Sequence, residues 1–460
     1  MKIIINDIPC ESLHFVGIFG SGMSAIAQYL AQTGIAVSGS DRLSDASYSS
    51  DVKKHLLSCG CFLFPQDGSG INKDISAVCV STAIEESNPD IAAARNFGIP
   101  VLHRSDVLAA LVKNSKSIAV AGTSGKSTVT AMIFEFLTAC GKSPSLISGA
   151  ALRSLEQKGL LGNAFYGKSD IIVVEADESD GTLVKYEPYA SVILNISKDH
   201  KPEEDVLKMF EQLARQSKWT AVNADDNKLN ILGASTTFGF DASADFLGVK
   251  KKMEPLSIEI SVDNISYTLP IPGEYNASNL LAALCVCRHF GCNGERLAQA
   301  VANYKGVDRR FEVHHTPSGV IVIDDFAHNP EKIRAAVETA KKLSGKIIAI
   351  YQPHGFAPTR FLKNEYAQTF REIFRPADIL CLLPIYYAGG TAVKDIKSQD
   401  IIEMMGKVSF CAVAVDNRQE ATDLIKQNAQ KDDCVLLMGA RDPSLSSFRE
   451  QIIDCISTYF

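Results

Sequence analysis

The chain has no run of about 18 apolar residues, the length a helix needs to cross a bilayer, so a transmembrane helix is not expected and neither is a membrane partner. Its 12 cysteines contain no C-x-x-C pair; only Cys59/Cys61 and Cys285/Cys287 stand close, as C-x-C. A zinc site is therefore not expected, and the thiols read as buried, reduced residues of a cytoplasmic protein. Basic residues are not in excess, with 46 Lys and Arg against 53 Asp and Glu and a net charge of −7. This argues against a general nucleic-acid binder, although a local basic cleft is compatible with an acidic total. Met1-Lys-Ile-Ile-Ile-Asn-Asp lacks the apolar core and cleavage site of a signal peptide, which again points to the cytoplasm. There are no internal repeats and no low-complexity linkers.

What is present is an ordinary globular composition, 46% hydrophobic and 22% charged. At 460 residues, and with a prior of about 150 residues per domain, about three domains are expected. Residues 1–112 alternate short apolar runs with helical patterns. Residues 13–18 read as a strand leading through Gly17, Gly20 and Gly22 into a helix over 23–32, and residues 35–38 as a second strand with Asp41 beyond its end. The glycines spell G-x-x-G-x-G, with Phe19 where the dinucleotide fingerprint has glycine. A tight strand-to-helix turn and a ligand loop are equally good readings of that pattern alone. Asp41 after a second strand favours the ligand, because a carboxylate there can accept hydroxyl hydrogen bonds.

Residues 113–308 open with Gly122-Thr-Ser-Gly-Lys-Ser-Thr128, between the apolar run 117–121 and an amphipathic stretch over 129–139. A strand, a glycine turn and a helix start make a cradle for phosphate. Backbone N–H groups at the helix N-terminus favour anions, Lys126 adds a point charge, and a Ser127 or Thr128 hydroxyl can ligate Mg²⁺. Val120 stands where the strict G-x-x-x-x-G-K-[ST] pattern has its first glycine, so the loop is shorter than usual. Strands are expected at 170–174, 190–194 and 219–222, and an antiparallel piece over 246–269 turning at Asp263-Asn264. Residues 309–460 alternate again, with buried parallel strands at 319–323, 346–350, 379–383 and 434–438.

Strand 170–174 ends in Glu175-Ala-Asp-Glu-Ser-Asp180, and strand 190–194 in Asn195-Ile-Ser-Lys-Asp-His200. Ligands of doubly wound sheets gather at the carboxyl ends of strands, so both polar clusters are expected near the phosphate loop as a Mg²⁺-nucleotide site. Glu175 and a loop hydroxyl suit one ion; a second ion on His200 is less expected from hard-cation chemistry.

These motifs, with Pro272-Gly-Glu-Tyr-Asn-Ala-Ser-Asn279, Arg309-Arg-Phe-Glu312 and Asp324-Asp-Phe-Ala-His-Asn-Pro330, resemble in order those of the Mur ligases, over nearly the whole chain. Residues 14–18, 38–41, 81–84, Asn88-Pro89, His103-Arg104 and Gln352-Pro-His354 are similar to the branch that joins L-alanine to UDP-N-acetylmuramate. The resemblance implies an α/β protein of three domains: a Rossmann-like UDP-sugar domain, a central P-loop ATPase domain and a Rossmann-like C-terminal ligase domain. It implies ATP and Mg²⁺ as cofactors, UDP-N-acetylmuramate and an amino acid as substrates, peptidoglycan precursor synthesis, and a monomer or homodimer. By residue, it implies that Lys126 and the amides of Gly122, Thr123, Ser124, Gly125, Ser127 and Thr128 hold phosphates. Ser127, Glu175 and His200 would serve Mg²⁺, and Asn279 adenine. Arg310 and Asp325 would reach the nucleotide on domain closure. His328 and His354 would lie near the acceptor amine, with Lys126 and His200 completing the catalytic set. Gly17, Gly20, Gly22, Ser40, Asp41 and Arg104 would line the UDP pocket, and Ser179 would touch the sugar side.

The chemistry is coherent on its own terms. A carboxylate is a poor electrophile, so ATP first converts it to an acyl phosphate, which the amine then attacks. Positioning and electrostatics supply most of the phosphoryl-transfer catalysis, and a His such as His328 is a credible acceptor for the amine proton. Three departures bear on the acceptor. Gly355 and Pro358 stand where the alanine-adding relatives carry arginine, the natural clamp for an amino-acid carboxylate, and only Arg360 remains in that loop. Arg441 replaces a typical glycine and offers a displaced charge, and Lys201-Pro-Glu-Glu-Asp205 differs from the usual sequence. Either the acceptor is L-alanine held from elsewhere, or a paralogue adds a different amino acid or a preformed peptide. A nicotinamide oxidoreductase built on the first glycine loop lacks a hydride site, and a catalytically dead homologue is disfavoured by Lys126, Glu175 and His200.

Overall fold

The computed structural model describes residues 2–42, 50–179, 181–197, 201–387 and 393–459. The chain forms two compact units. The first comprises Met1–Lys252, Ile258–Pro270 and Glu274–Asp308; the second comprises Met253–Ser257, Ile271–Gly273 and Arg309–Phe460.

The first unit holds two parallel sheets. In the five-stranded one the order is Phe62–Phe64, Ala36–Ser40, Ser12–Val16, Ala77–Val80, Val101–His103. The chain starts at the middle strand, winds to one edge, then returns to the other side. The reversal falls beside Ser12–Val16, and there the loops that follow the strands part to leave a crevice. Gly17 to Gly22, Asp41 and Arg104 all follow strands on that carboxyl side.

The eight-stranded sheet runs Ala164–Phe165, Ser145–Ile147, Ile171–Glu175, Lys116–Ala121, Ala190–Ile193, Trp219–Asn223, Thr236–Gly239, Phe246–Leu247, and every pair but the first is parallel. Lys116–Ala121 is flanked by Ile171–Glu175 and Ala190–Ile193 in register. Gly122, Glu175 and Asn195 therefore leave the sheet along one edge. The central strands are mostly apolar and buried because helices cover both faces.

The helix after the phosphate loop, Lys126–Ala139, differs from the amphipathic expectation. It is buried on nearly all sides, from Val129 to Phe134 and again at Phe136 and Leu137, because the Tyr275–His289 and Gly294–Ala302 helices pack on its outer face. A hairpin of Ile258–Val262 and Ile265–Leu269 turns at Asp263 and Asn264, φ 50° and 64°, the paired left-handed residues of a two-residue turn. A second hairpin, Ile3–Ile5 with Ile8–Cys10, has no counterpart in the sequence reading; its turn residues Asn6 and Asp7 are also left-handed.

The second unit has a six-stranded sheet in the order Glu312–His315, Ile321–Asp325, Cys434–Gly439, Ile347–Gln352, Ile379–Leu382, Cys411–Ala414, parallel except for the first pair. Alternate residues feed two cores. Ile323, Ala349, Tyr351 and Leu436 meet the Pro330–Ala340 and Phe356–Ile373 helices, while Val322, Ile348, Ile350 and Val435 meet Ile425, Phe448 and Ile452 on the other face. Asn329 accepts from Lys332 N–H as the N-cap, with Pro330 at the first helical position, so Asn-Pro starts that helix in the ordinary way. No helix among the described residues is long and apolar enough to cross a membrane.

Candidate active site

Two glycines shape the phosphate loop. Gly122 and Gly125 have φ of 145° and 84°. A Cβ would come 2.9 Å from Leu194 Cβ at the first and 2.5 Å from Asn279 Oδ1 at the second, so neither position accepts a side chain without displacement. Asn195 ties the loop from the neighbouring strand. Its Oδ1 accepts from Thr123 Oγ1 at 3.0 Å and from Ser124 N–H at 2.9 Å, and its Nδ2 donates to the Ser124 carbonyl at 3.0 Å. Ser197 N–H donates to Thr123 Oγ1 at 2.9 Å. The Lys126–Ala139 helix has no side-chain cap and no acid in its first turn. Its N-terminal amides and dipole are thereby arranged for an anionic ligand.

Lys126 Nζ donates to the Gly122 carbonyl at 2.8 Å and to Glu178 Oε2 at 2.7 Å, with Asp177 Oδ1 at 3.7 Å. Burial alone would lower the lysine's pKa, but Glu178, Asp177 and Glu175 outweigh it and raise it, so the ammonium stays charged. Burial pushes the Glu178 carboxyl up, with Lys126 offsetting only part of the effect. Asp177 is held below the usual carboxylate range despite its burial, by Lys126, by Ser179 and by Arg104. Ser179 Oγ donates to Asp177 Oδ2 at 2.8 Å. Glu178 is thus a central member of the site that the sequence reading left inside an acidic run, and Asn195 is another.

Ser127 Oγ donates to Glu175 Oε1 at 3.0 Å, while Gly149 N–H donates to Oε2 at 3.0 Å. A hydroxyl and a carboxylate side by side at a phosphate cradle are the oxygen donors that suit Mg²⁺. His200 lies outside the described residues, and among the described residues no group of three or more His, Cys, Asp or Glu could hold a metal. Thr128 is half-buried, and its carbonyl accepts from Tyr304 Oη at 3.4 Å. Asn279 is buried against Gly125 and donates to Asn276 Oδ1 at 2.9 Å, so in this structure it supports the loop.

In the first glycine loop, Gly17 N–H and Ile18 N–H both donate to the Ser40 carbonyl, and Gly20 N–H to the Gly17 carbonyl. Phe19 N–H donates to Asp41 Oδ2 at 3.0 Å. A residue other than glycine is therefore tolerated at 19, and one oxygen of Asp41 already holds the loop. Beneath it, Asp90 accepts from Ser40 Oγ and, at 2.8 Å, from Gly68 N–H, with His14 Nε2 at 3.8 Å. The Ser21–Gln32 helix, capped only by Gly20, again has no side-chain cap and no first-turn acid. Arg104 connects this loop to the phosphate site: a Cβ on Gly22 would lie 2.6 Å from its Nη1, and its charge acts on Asp177.

In the second unit, Arg309 is structural. Its Nε lies 3.1 and 3.2 Å from the two Asp324 oxygens and its Nη2 donates to the Gly439 carbonyl at 2.7 Å. Arg310 instead lies over the Phe326 ring at 4.6 Å. Asp325 accepts from Phe311 N–H and Ala327 N–H, both at 2.7 Å, and burial pushes its carboxyl up. The His328 and His354 rings stand 5.5 Å apart. His328 Nδ1 lies 2.9 Å from the Phe326 carbonyl, which can only accept, so Nδ1 carries a proton and Nε2 is the basic nitrogen of the neutral ring. Gly355 has φ 70° and caps the Phe356–Ile373 helix, whose first turn contains Pro358. Arg360 is paired with Asp395 and donates to the Val393 carbonyl at 3.1 Å, an exposed engagement rather than an open clamp. Arg441 is exposed.

Three family models match the chain in succession: the Mur ligase family catalytic domain over residues 12–116, the Mur ligase middle domain over 120–287, and the Mur ligase glutamate ligase domain over 309–441. A UDP-N-acetylmuramate--L-alanine ligase of Syntrophomonas wolfei is 32% identical over 457 residues, covering 94% of this chain and 95% of that protein. One from Streptomyces avermitilis is 34% identical over 466 residues, covering 96% and 97%. The crystal structure of UDP-N-acetylmuramate-alanine ligase from Thermotoga maritima superposes with a TM-score of 0.81 at 26% identity, covering 98% of this chain and all of that one.

Proposed function

The chain belongs to the Mur ligase family, and we propose that it joins L-alanine to the carboxylate of UDP-N-acetylmuramate, through an acyl phosphate formed from ATP, in peptidoglycan precursor synthesis. Mur ligases are ATP-dependent, and this protein is a ligase with their three-domain architecture. The observation that carries the proposal is the alignment of three groups in one unit: the uncapped helix behind Gly17 to Gly22, Arg104, and the Lys126 loop with its acids.

In this reading the pyrophosphate of the UDP-sugar meets the Ser21–Gln32 helix N-terminus, and Arg104 draws the sugar's carboxylate toward the Lys126 loop. Lys126 and the loop amides neutralise the phosphate that is transferred. Ser127 and Glu175, with His200, would hold Mg²⁺, which supplies further charge neutralisation on the phosphates. Glu178 keeps Lys126 extended and protonated before nucleotide arrives. His328 Nε2 takes the proton released as the amine attacks, with His354 beside it.

Label transfer tests the acyl phosphate. UDP-N-acetylmuramate carrying oxygen-18 in its carboxylate is expected to pass one labelled oxygen to inorganic phosphate per turnover; unlabelled phosphate would sink the proposal. A second acceptor is favoured by one observation. Gly355 and Pro358 provide no guanidinium and Arg360 is engaged by Asp395, so a different amine would enter without the usual arginine clamp.

A further inference from the structure

The far end of the phosphate-loop helix carries a cluster of three cysteines that the ligase reading does not use. The Tyr275–His289 helix ends in a turn in which Cys292 N–H donates to the Cys287 carbonyl at 3.0 Å and Gly291 N–H to the Arg288 carbonyl at 2.9 Å, with Gly291 at φ 77°. That double-bonded ending brings the side chains of its first and last residues together, and here both are cysteine. The Lys126–Ala139 helix packs along the same helix and ends at Cys140; Lys142 N–H donates to the Leu137 carbonyl at 3.0 Å, which closes it in the same way.

The Cys140, Cys287 and Cys292 side chains lie close enough for the first two thiols to act on the third, and Cys140 and Cys292 share one cavity wall. Cys292 also directly precedes Asn293, the N-cap of the Gly294–Ala302 helix, and a helix N-terminus favours thiolate. The neighbouring thiols, Cys287 foremost and then Cys140, together with Lys142 and Arg288, lower the Cys292 thiol to about 7. Burial pushes Cys140 the other way, to about 12. Cys292 is thus the more acidic thiol and Cys140 the one that keeps its proton. A cavity of about 470 Å³ is lined by Cys140, Cys292, Lys142, Arg296 and Glu295, two cations against one acid, with room enough for a small oxidant. Cys287 is fully buried, and its Sγ donates to the Ile133 carbonyl at 3.9 Å.

We propose that this cluster is a thiol modification site: Cys292 is oxidised by a hydroperoxide, and Cys140 resolves the product as a Cys140–Cys292 disulfide. In the first step the Cys292 thiolate attacks the peroxide, the O–O bond breaks, and with one proton taken up the products are a sulfenic acid and, from hydrogen peroxide, water. In the second step Cys140 sulfur displaces the sulfenic hydroxyl, which leaves as water with the Cys140 proton. Two sulfurs lose two electrons and the peroxide gains them. The bond would staple the distal end of the phosphate-loop helix to the connection between the two helices that cover it.

The test treats the full-length, nucleotide-free protein with equimolar hydrogen peroxide, blocks remaining thiols, and maps tryptic peptides without reduction. Trypsin cleaves after Lys142, Arg288 and Arg296, so each pairing gives a distinct peptide. The expected result is loss of two thiols, a Cys140–Cys292 linked peptide, and a reaction rate whose pH midpoint is near 7. Cys292→Ser abolishes the linkage, while Cys140→Ser leaves a sulfenic acid on Cys292 that dimedone traps. Trp219 fluorescence checks that each variant is folded; where Cys292→Ser does not fold, the dimedone adduct of Cys140→Ser decides. Oxidation of the exposed Cys411 ahead of Cys292, or a Cys287–Cys292 peptide in place of the expected one, would overturn the proposal.

Discussion

Replacing Lys126 by Met separates the two things this lysine does. In the nucleotide-free protein it is the counter-charge of Glu178, 2.7 Å away, and their side chains are 12% and 5% exposed. Breaking a buried pair by removing one partner costs about 3–5 kcal/mol, because the other charge is left buried. Glu178 has an escape, since burial already raises its pKa and it can take a proton. Protonation caps the cost at about 1.4 kcal/mol for each pH unit by which ambient pH exceeds the unfolded carboxyl's pKa of about 4.3, or about 4 kcal/mol at pH 7.5. The expected deficit at pH 7.5 is therefore about 2–4 kcal/mol.

The pH dependence has a definite sign. A carboxyl whose folded pKa is raised contributes its stability below the unfolded pKa and loses it as pH rises through the folded value. The Lys126→Met deficit must therefore grow from pH 5.5 to pH 7.5. Adding Glu178→Gln removes the stranded charge, so the double variant recovers most of the stability and none of the ATP turnover. Urea unfolding read by Trp219, the chain's one tryptophan and a residue of the same sheet, measures this directly. The reasoning is refuted if Lys126→Met lies within about 0.5 kcal/mol of wild type at pH 7.5, or if Glu178→Gln restores nothing.

Glu175→Gln keeps the hydrogen bond from Ser127 but loses the charge that suits Mg²⁺, and kcat is expected to fall at least about 100-fold with folding unchanged; a smaller loss in steady-state turnover would remove Glu175 from the site. His328→Gln is expected to lower kcat about 100-fold or more, and His354→Gln less, because the Phe326 carbonyl fixes the His328 tautomer; the reverse order in ADP-release kinetics would exchange their roles. Asp90 is held below the usual carboxylate range, its burial outweighed by His14 at 3.8 Å and by hydrogen bonds from Ser40 and Gly68. Its stabilisation is present above the unfolded value and lost as pH falls through the folded one, so Asp90→Asn costs about 1–3 kcal/mol at pH 7 and the difference closes below about pH 4 in urea melts.

The phosphate loop was legible because it is local: a strand, two glycines, a lysine and a helix within twelve residues. What holds it was not. Asn195 reaches Thr123 and Ser124 from about 70 residues away, and only the neighbouring strand at Ala190–Ile193 brings it there. Glu175 and Glu178 stand in one acidic run, where strand direction decides which faces Ser127 and which faces Lys126. The Lys126–Ala139 helix looked amphipathic because its few polar side chains suggested a wet face, which two later helices cover. Likewise Cys140 and Cys292 look scattered in the sequence, and helix endings bring them together. Gly355 and Pro358 were legible as departures from the family, but Asp395 as the partner of Arg360 was not.

The most direct test of the account is ADP release by the purified protein with ATP, UDP-N-acetylmuramate and one amino acid at a time, followed by the mass of the product. The account predicts that L-alanine drives release and that the product is heavier than the substrate by one alanyl residue. Release driven by another amine while L-alanine leaves the rate at background would contradict it.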